Sequence, residues 1–197
     1  MVPQTGLKGT GVLVALAGPA GAGKSTLIAA ARRAYAGHQA VVFPARLATR
    51  LAGVTSGCAE ISTADFEAME AAGAFAFSWR ADERSYGVPT EIDTDLAAGR
   101  IAVVSVSRQI VARLRRRHSR VHVVYVTAAR QRLIERLTAK TGTGPDYVRG
   151  RLARADAFAL PEPPMTLIDN SGNLSEAVDE FLGVIDSYIP AALRPVR

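Results

Sequence analysis

Cysteine is almost absent from this chain. Cys58 is the single one in 197 residues, so no disulfide framework exists and a reducing cytoplasm is the natural setting. Long apolar runs are lacking as well. None approaches the roughly 18 consecutive apolar residues of a membrane span, and a soluble protein is expected. Histidine is confined to His38, His118 and His122, and none stands in a pattern that suggests a general base or a metal set. Lysine is scarce too: only Lys8, Lys24 and Lys140 occur, against 21 arginines. No internal repeat or low-complexity segment appears, and the length suits one domain able to bury its own core.

The net charge of +6 raises the question of nucleic acid, but the basic residues are spread along the chain and only Arg113 to Arg117 is dense. No nucleic-acid partner is expected. Arginine's planar fork grips phosphates bidentately, as a small polyanionic substrate requires. Compositional bias accounts for the arginines equally well.

The strongest signal is Gly18-Pro-Ala-Gly-Ala-Gly-Lys-Ser-Thr26, a phosphate loop of the pattern G-x-x-x-x-G-K-S/T. Gly18, Gly21 and Gly23 permit backbone conformations that a Cβ would obstruct, so successive N–H groups can line a nest for the β-phosphate of ATP. Pro19, Ala20, Ala22 and Thr26 complete the nucleotide-binding set. Lys24 reaches the β/γ oxygens, and the Ser25 hydroxyl is the Mg²⁺ ligand. Val12 to Ala17 reads as a buried parallel strand, and Lys24 to Tyr35 as the helix whose N-terminus faces the anion. Lys8 and the apolar 11–17 run mimic a secretory signal, but cleavage there would destroy a complete phosphate loop.

Further strands are expected at 40–43, 101–106, 121–126 and 165–168. Helices are expected at 63–72, 108–117, from an N-cap at Thr127 to Lys140, at 146–158, and from a capping box at Asn173 and Glu176 to Pro190. The last helix places Leu174, Val178, Phe181, Leu182, Ile185 and Ile189 on one face. Short strands alternating with helices imply an α/β fold with a parallel sheet covered on both faces. Residues 45–99 are irregular and read as an insertion, and 141–145 as a loop.

Beyond the phosphate loop, Thr49-Arg50, Ala72 to Trp79 leading to Tyr86-Gly-Val and Glu91-Ile-Asp93, Val103 to Arg108, and Arg151-Leu-Ala-Arg154 resemble the ribose 1,5-bisphosphate phosphokinases of phosphonate catabolism, relatives of guanylate kinase. The resemblance implies a P-loop nucleoside-monophosphate-kinase-like three-layer fold in one domain. Its core would span about 11–44 and 100–190, its acceptor-binding insertion about 45–99 and its short lid about 140–150. It implies phosphoryl transfer from ATP, with Mg²⁺, to the 1-phosphate of ribose 1,5-bisphosphate, a small phosphorylated sugar. Lys24, Arg108, Lys140 and Arg151 would be catalytic, with Arg154 near the transferred group. Arg50, Tyr86, Glu91, Asp93 and Arg108 would bind the acceptor, and Trp79 would pack.

The chain departs from the family pattern at Ser105, at Asp82-Glu-Arg-Ser85, and in the lid, where Lys140-Thr-Gly-Thr-Gly144 replaces an arginine-bearing segment. Lys140, with Arg136 one turn earlier, is then the lid's nearest cation. A guanylate-kinase-like acceptor is the main alternative, although the second arginine and the glutamate of that pattern are missing. A non-catalytic nucleotide-binding module is the other. A homodimer is left open.

Overall fold

The computed structural model describes residues 10–50, 58–81, 83–139, 144–157 and 163–195. Strand β1 (Val12–Ala17) is buried along its whole length, as a continuous apolar run must be when both faces of a parallel strand are covered. It lies at the centre of a five-stranded sheet with β2 (Val41–Val42), β7 (Ile101–Ser105), β8 (Val121–Thr127) and β9 (Met165–Asp169). The order is β2-β7-β1-β8-β9, and every neighbouring pair is parallel.

Alternate residues of β1 feed two cores. Val12, Val14 and Leu16 pack with Leu27 and Ala31 of α1 (Lys24–Ala34) and with Phe181 and Ile185 of α7 (Leu174–Asp186). Leu13, Ala15 and Ala17 pack on the other face with Ile92 and Leu96 of α3 (Glu91–Ala97) and Leu114 of α4 (Val111–Arg117). This is the expected three-layer α/β arrangement. Burying one side chain the size of Phe181 contributes about 1.5–3 kcal/mol. The hydroxyl of Tyr35, just past α1, donates to Asp186 at 2.7 Å and ties the two helices together.

The stretch between β2 and β7 is more ordered than its irregular composition suggests. It holds a second sheet of β3 (Leu47–Thr49), β4 (Ala59–Ile61), β5 (Phe75–Ala81) and β6 (Arg84–Pro89), in the order β4-β3-β6-β5. Strands of three residues are too short to carry a readable alternation. Long-range contacts hold them instead. Phe66 of α2 (Thr63–Ala71) is fully buried and stacks on Phe75 with ring centroids 4.7 Å apart. Buried Arg84 donates to the Thr49 carbonyl at 2.6 Å and to Glu60 at 2.9 Å, linking β6 to β3 and β4. The hairpin of β5 and β6 closes through Glu83, in the left-handed region at φ 61°, and sets Trp79 opposite Tyr86.

Several local expectations are corrected. Thr127 is the last residue of β8 and caps no helix; α5 (Arg130–Thr138) starts after Ala129, whose N–H donates to the Ser171 hydroxyl at 2.6 Å. Asn173 does cap α7, but its side chain accepts from the Ser175 N–H. Leu174 is 42% exposed because it sits in the first turn, before the buried run that begins at Ala177. Helix α7 ends at Asp186, short of Pro190, while Ile189 stays buried in the turn that follows. Among the described residues no helix is long and apolar enough to cross a membrane.

Candidate active site

The sheet order reverses direction around β1: the chain moves to the β7 side first and reaches β8 only later. In open α/β sheets the crevice beyond the carboxyl ends of the strands at such a point is where ligands bind. Residues 18–23 occupy that crevice, between β1 and α1.

The loop's shape is imposed by three glycines at positive φ, Gly18 at 140°, Gly21 at 83° and Gly23 at 96°. Gly23 caps α1 in the left-handed region, and no acidic residue occupies the helix's first turn, so its N-terminal partial charge is left for an outside anion. The Lys24 ammonium donates to the carbonyls of Gly18 at 2.8 Å and Pro19 at 2.7 Å. These bonds fold the lysine back over the loop it would serve. Ser25 and Thr26 are exposed at the helix start.

A cavity of about 360 Å³ opens beside the loop. Four cations line it: Lys24, Arg46, Arg108 and Arg151. Arg108 stands in a 3₁₀ turn directly after β7 and donates to the Tyr125 hydroxyl at 3.0 Å, which orients it across the mouth of β1. Arg151 reaches the cavity from α6 (Pro145–Ala157). The opposite wall is the Trp79–Tyr86 stack, with centroids 5.4 Å apart and planes 12° from parallel. Trp79 thus belongs to a core and also faces the cavity. Among the described lining residues there is no carboxylate and no histidine.

Arg46 stands in no motif of the sequence, yet the structure brings it into the site. Its guanidinium donates to the Ser105 carbonyl at 3.0 Å and to the Cys58 sulfur at 2.8 Å, and lies 5.6 Å from the centre of the Tyr86 ring. It also borders a second cavity of about 450 Å³, shared with Ser25 and Ser105. The only signal for it in the sequence is its position four residues before Arg50, on the same side of an extended strand.

Other selected residues are placed elsewhere. Arg50 is exposed beyond the end of β3, with its N–H pinned to the Ile61 carbonyl at 3.0 Å, and does not line the cavity. Glu91 is exposed in the first turn of α3, where a carboxylate complements the helix dipole. Asp93 does not line the cavity: Arg117 holds its carboxylate at 2.6 Å, and His118 lies 4.0 Å away, at a joint between α3 and α4. Burial there pushes the His118 imidazole below its ordinary value of 6.5. His122 is spent between the Tyr188 and Thr166 hydroxyls, and His38 against the Leu193 carbonyl. Lys140, residues 141–143 of the expected lid and the Arg154 side chain lie outside the described residues.

The fold and the loop together define a class, the P-loop kinases of guanylate-kinase-like fold. A guanylate kinase from Anaplasma phagocytophilum superposes with a TM-score of 0.64 at 16% identity, covering 96% of this chain and 92% of that one. A sugar kinase from a Janibacter species does so at 0.52 and 15% identity, covering 94% of this chain and 99% of that one. No family model matches the sequence. Its relatives are more specific: a ribose 1,5-bisphosphate phosphokinase PhnN from a Chelativorans species is 42% identical over 87% of this chain and 83% of its own length. Proteins of the same name from Rhodopseudomonas palustris and Rhizobium etli are 37% and 34% identical, each over about nine-tenths of both chains. The chain belongs to the ribose 1,5-bisphosphate phosphokinase family.

Proposed function

We propose that this protein transfers the γ-phosphoryl group of ATP to the 1-phosphate of ribose 1,5-bisphosphate, giving 5-phosphoribosyl 1-diphosphate and ADP. The observation that carries the reading is a small cavity beside a phosphate loop, lined by Lys24, Arg46, Arg108 and Arg151 and by no carboxylate or histidine among its described residues. An acceptor phosphate is already ionised, so its oxygen can attack the γ-phosphorus without a base to remove a proton. What remains is positioning and charge neutralisation. A hydroxyl acceptor would call for a carboxylate or imidazole at the attacking oxygen. A guanine edge offers N–H donors that a carboxylate pairs best, and leaving them unpaired is costly.

The glycine cradle, whose curvature a Cβ at Gly18 or Gly23 would obstruct, fits a chain of phosphates. Ser25 is the hydroxyl that would ligate Mg²⁺, and the described residues hold no group of three or more acidic, histidine or cysteine side chains to join it. The ion would therefore be held chiefly by the nucleotide's own oxygens, and when bound it neutralises their charge. Lys24 leaves the Gly18 and Pro19 carbonyls for the β/γ oxygens. Arg108, braced by Tyr125, holds the acceptor's 1-phosphate in line, while Arg151 covers the migrating group, with Lys140 as the lid's own cation. Tyr86 and Arg46 receive the sugar-phosphate side, with Arg50 at its outer edge. The acceptor is a small phosphorylated sugar, and neither nucleic acid nor membrane takes part.

Coupled ADP-release assays with ribose 1,5-bisphosphate, ribose 1-phosphate and GMP in parallel test the assignment. Substantial ATP- and Mg²⁺-dependent turnover is expected with the bisphosphate alone, and a preference for GMP overturns it. Arg46→Ala is expected to raise KM for the bisphosphate about tenfold or more, the cost of one charge-assisted hydrogen bond, with KM for ATP within about twofold. An unchanged acceptor KM removes Arg46 from the site.

A further inference from the structure

Asn170 follows the last residue of β9, is 1% exposed, and is used by three parts of the molecule at once. Its N–H donates to the Thr127 carbonyl at 2.8 Å, continuing the sheet. Its side-chain amide donates to the Ala22 carbonyl at 2.8 Å, inside the phosphate loop. Its own carbonyl accepts from Arg136 of α5 at 2.9 Å, and the same guanidinium reaches the Gly21 carbonyl at 3.5 Å. Of the two carbonyls at the crest of the loop, Ala22 is therefore held by a side chain more than a hundred residues away, and Gly21 is approached by a second at the outer limit of hydrogen-bond distance.

A trans peptide unit points its C=O and its N–H in opposite directions. Pinning the Ala22 carbonyl toward Asn170 turns the Gly23 N–H the other way, and the longer Arg136 contact biases the Gly21 carbonyl, and so the Ala22 N–H, in the same sense. These are N–H groups that a phosphate nest presents to its anion. The Ala22 N–H reaches the Pro19 carbonyl at 3.4 Å, a long contact that a phosphate oxygen would outcompete. Gly23 completes the interlock, because a Cβ there would overlap the Asn170 amide nitrogen.

We infer that Asn170 and Arg136 are positioning residues, a clip that holds the phosphate loop in its anion-receiving shape before nucleotide arrives. Packing alone is a poor account of them. Among the described residues the Asn170 side-chain oxygen is buried with no hydrogen-bond partner, a cost that an apolar residue of the same size would avoid. What an apolar residue cannot do is donate to the Ala22 carbonyl. The commitment of Arg136 to Gly21 and Asn170 also revises its expected role, since a guanidinium bound to the floor of the site is not a lid cation.

The inference rests on the proposed reading only for its donor side, so the test uses polyphosphate affinity and holds whichever acceptor the enzyme takes. Binding of tripolyphosphate and of ATP is measured by calorimetry for the wild type, Asn170→Ala and Arg136→Gln, together with the ligand-free Tm and the steady-state constants. Tripolyphosphate carries no base, so it reports the nest alone. Both variants are expected to lose about tenfold in affinity for tripolyphosphate and by the same factor for ATP, the equivalent of one hydrogen bond. The acceptor KM should stay within about twofold, and Arg136→Lys should recover part of the loss. Weakened ATP with unchanged tripolyphosphate would make the pair a base contact and overturn the clip, and unchanged affinity for both would reduce it to packing. If Asn170→Ala does not fold, the two affinities of Arg136→Gln decide between the clip and these alternatives on their own.

Discussion

Lys24→Ala is expected to lower kcat at least about a hundredfold while the fold is kept. The ammonium meets the charge that develops as the γ-phosphoryl group leaves, in a cavity partly shielded from water, where losing one preorganised donor typically costs a factor of about 10²–10³. The fold survives because Lys24 belongs to neither apolar core, and its partners, the Gly18 and Pro19 carbonyls, line the cavity, where water can replace it. The glycine nest is backbone and remains, so nucleotide affinity should fall far less than turnover. Steady-state kinetics with far-ultraviolet circular dichroism check this. Retention of more than about a tenth of wild-type turnover, a loss of only about 1.4 kcal/mol, would remove Lys24 from the chemistry.

Gly18→Ala is expected to act on the fold and the site together. Gly18 sits at φ 140°, and an added Cβ would overlap the Val126 carbonyl oxygen of β8. That obstacle is backbone in a paired strand, held in register with β1 from Leu13 opposite Val121 to Ala17 opposite Tyr125, so relief requires prising β1 from β8. Backbone strain alone costs about 1–3 kcal/mol, and the overlap adds to it. With about 2–4 °C per kcal/mol for a chain of this size, Tm should fall by at least about 6 °C, and ATP binding should be lost with the loop's shape. Gly37→Ala is the control. It also has positive φ, 77°, but nothing lies within 4 Å of its added Cβ, so it carries the conformational cost alone, about 1–2 kcal/mol. Equal Tm losses for the two would mean that the Val126 contact decides nothing.

The large elements were legible because their causes are local. Val12–Ala17 is a strand through its own unbroken apolar run, and the turn into α1 needs only the glycines and the lysine that follow it. The α/β class and the kinase family were legible for the same reason. The acceptor side was less so. β3 and β4 are three residues each, and what makes them strands is Arg84 reaching Thr49 and Glu60, together with the stack of Phe66 on Phe75.

Arginine shows the limit most clearly. Its side chain is long and its partners are set by the fold, so sequence position says little about where the charge ends up. Arg50 and Arg46 both flank or enter β3, yet only Arg46 meets the cavity. Asp93 had the right company in sequence, but Arg117 from the next helix had already claimed it. By itself the sequence determined the phosphate loop, the alternating strands and helices of the core sheet, and the family, because each is carried by short stretches whose residues lie within a few positions of one another. Only the tertiary structure decided which cations converge, which carboxylates are spent on ion pairs, and that Asn170 and Arg136 hold the loop from behind. Those outcomes depend on contacts between residues up to 148 apart along the chain, whose geometry exists only once the sheet has brought them together.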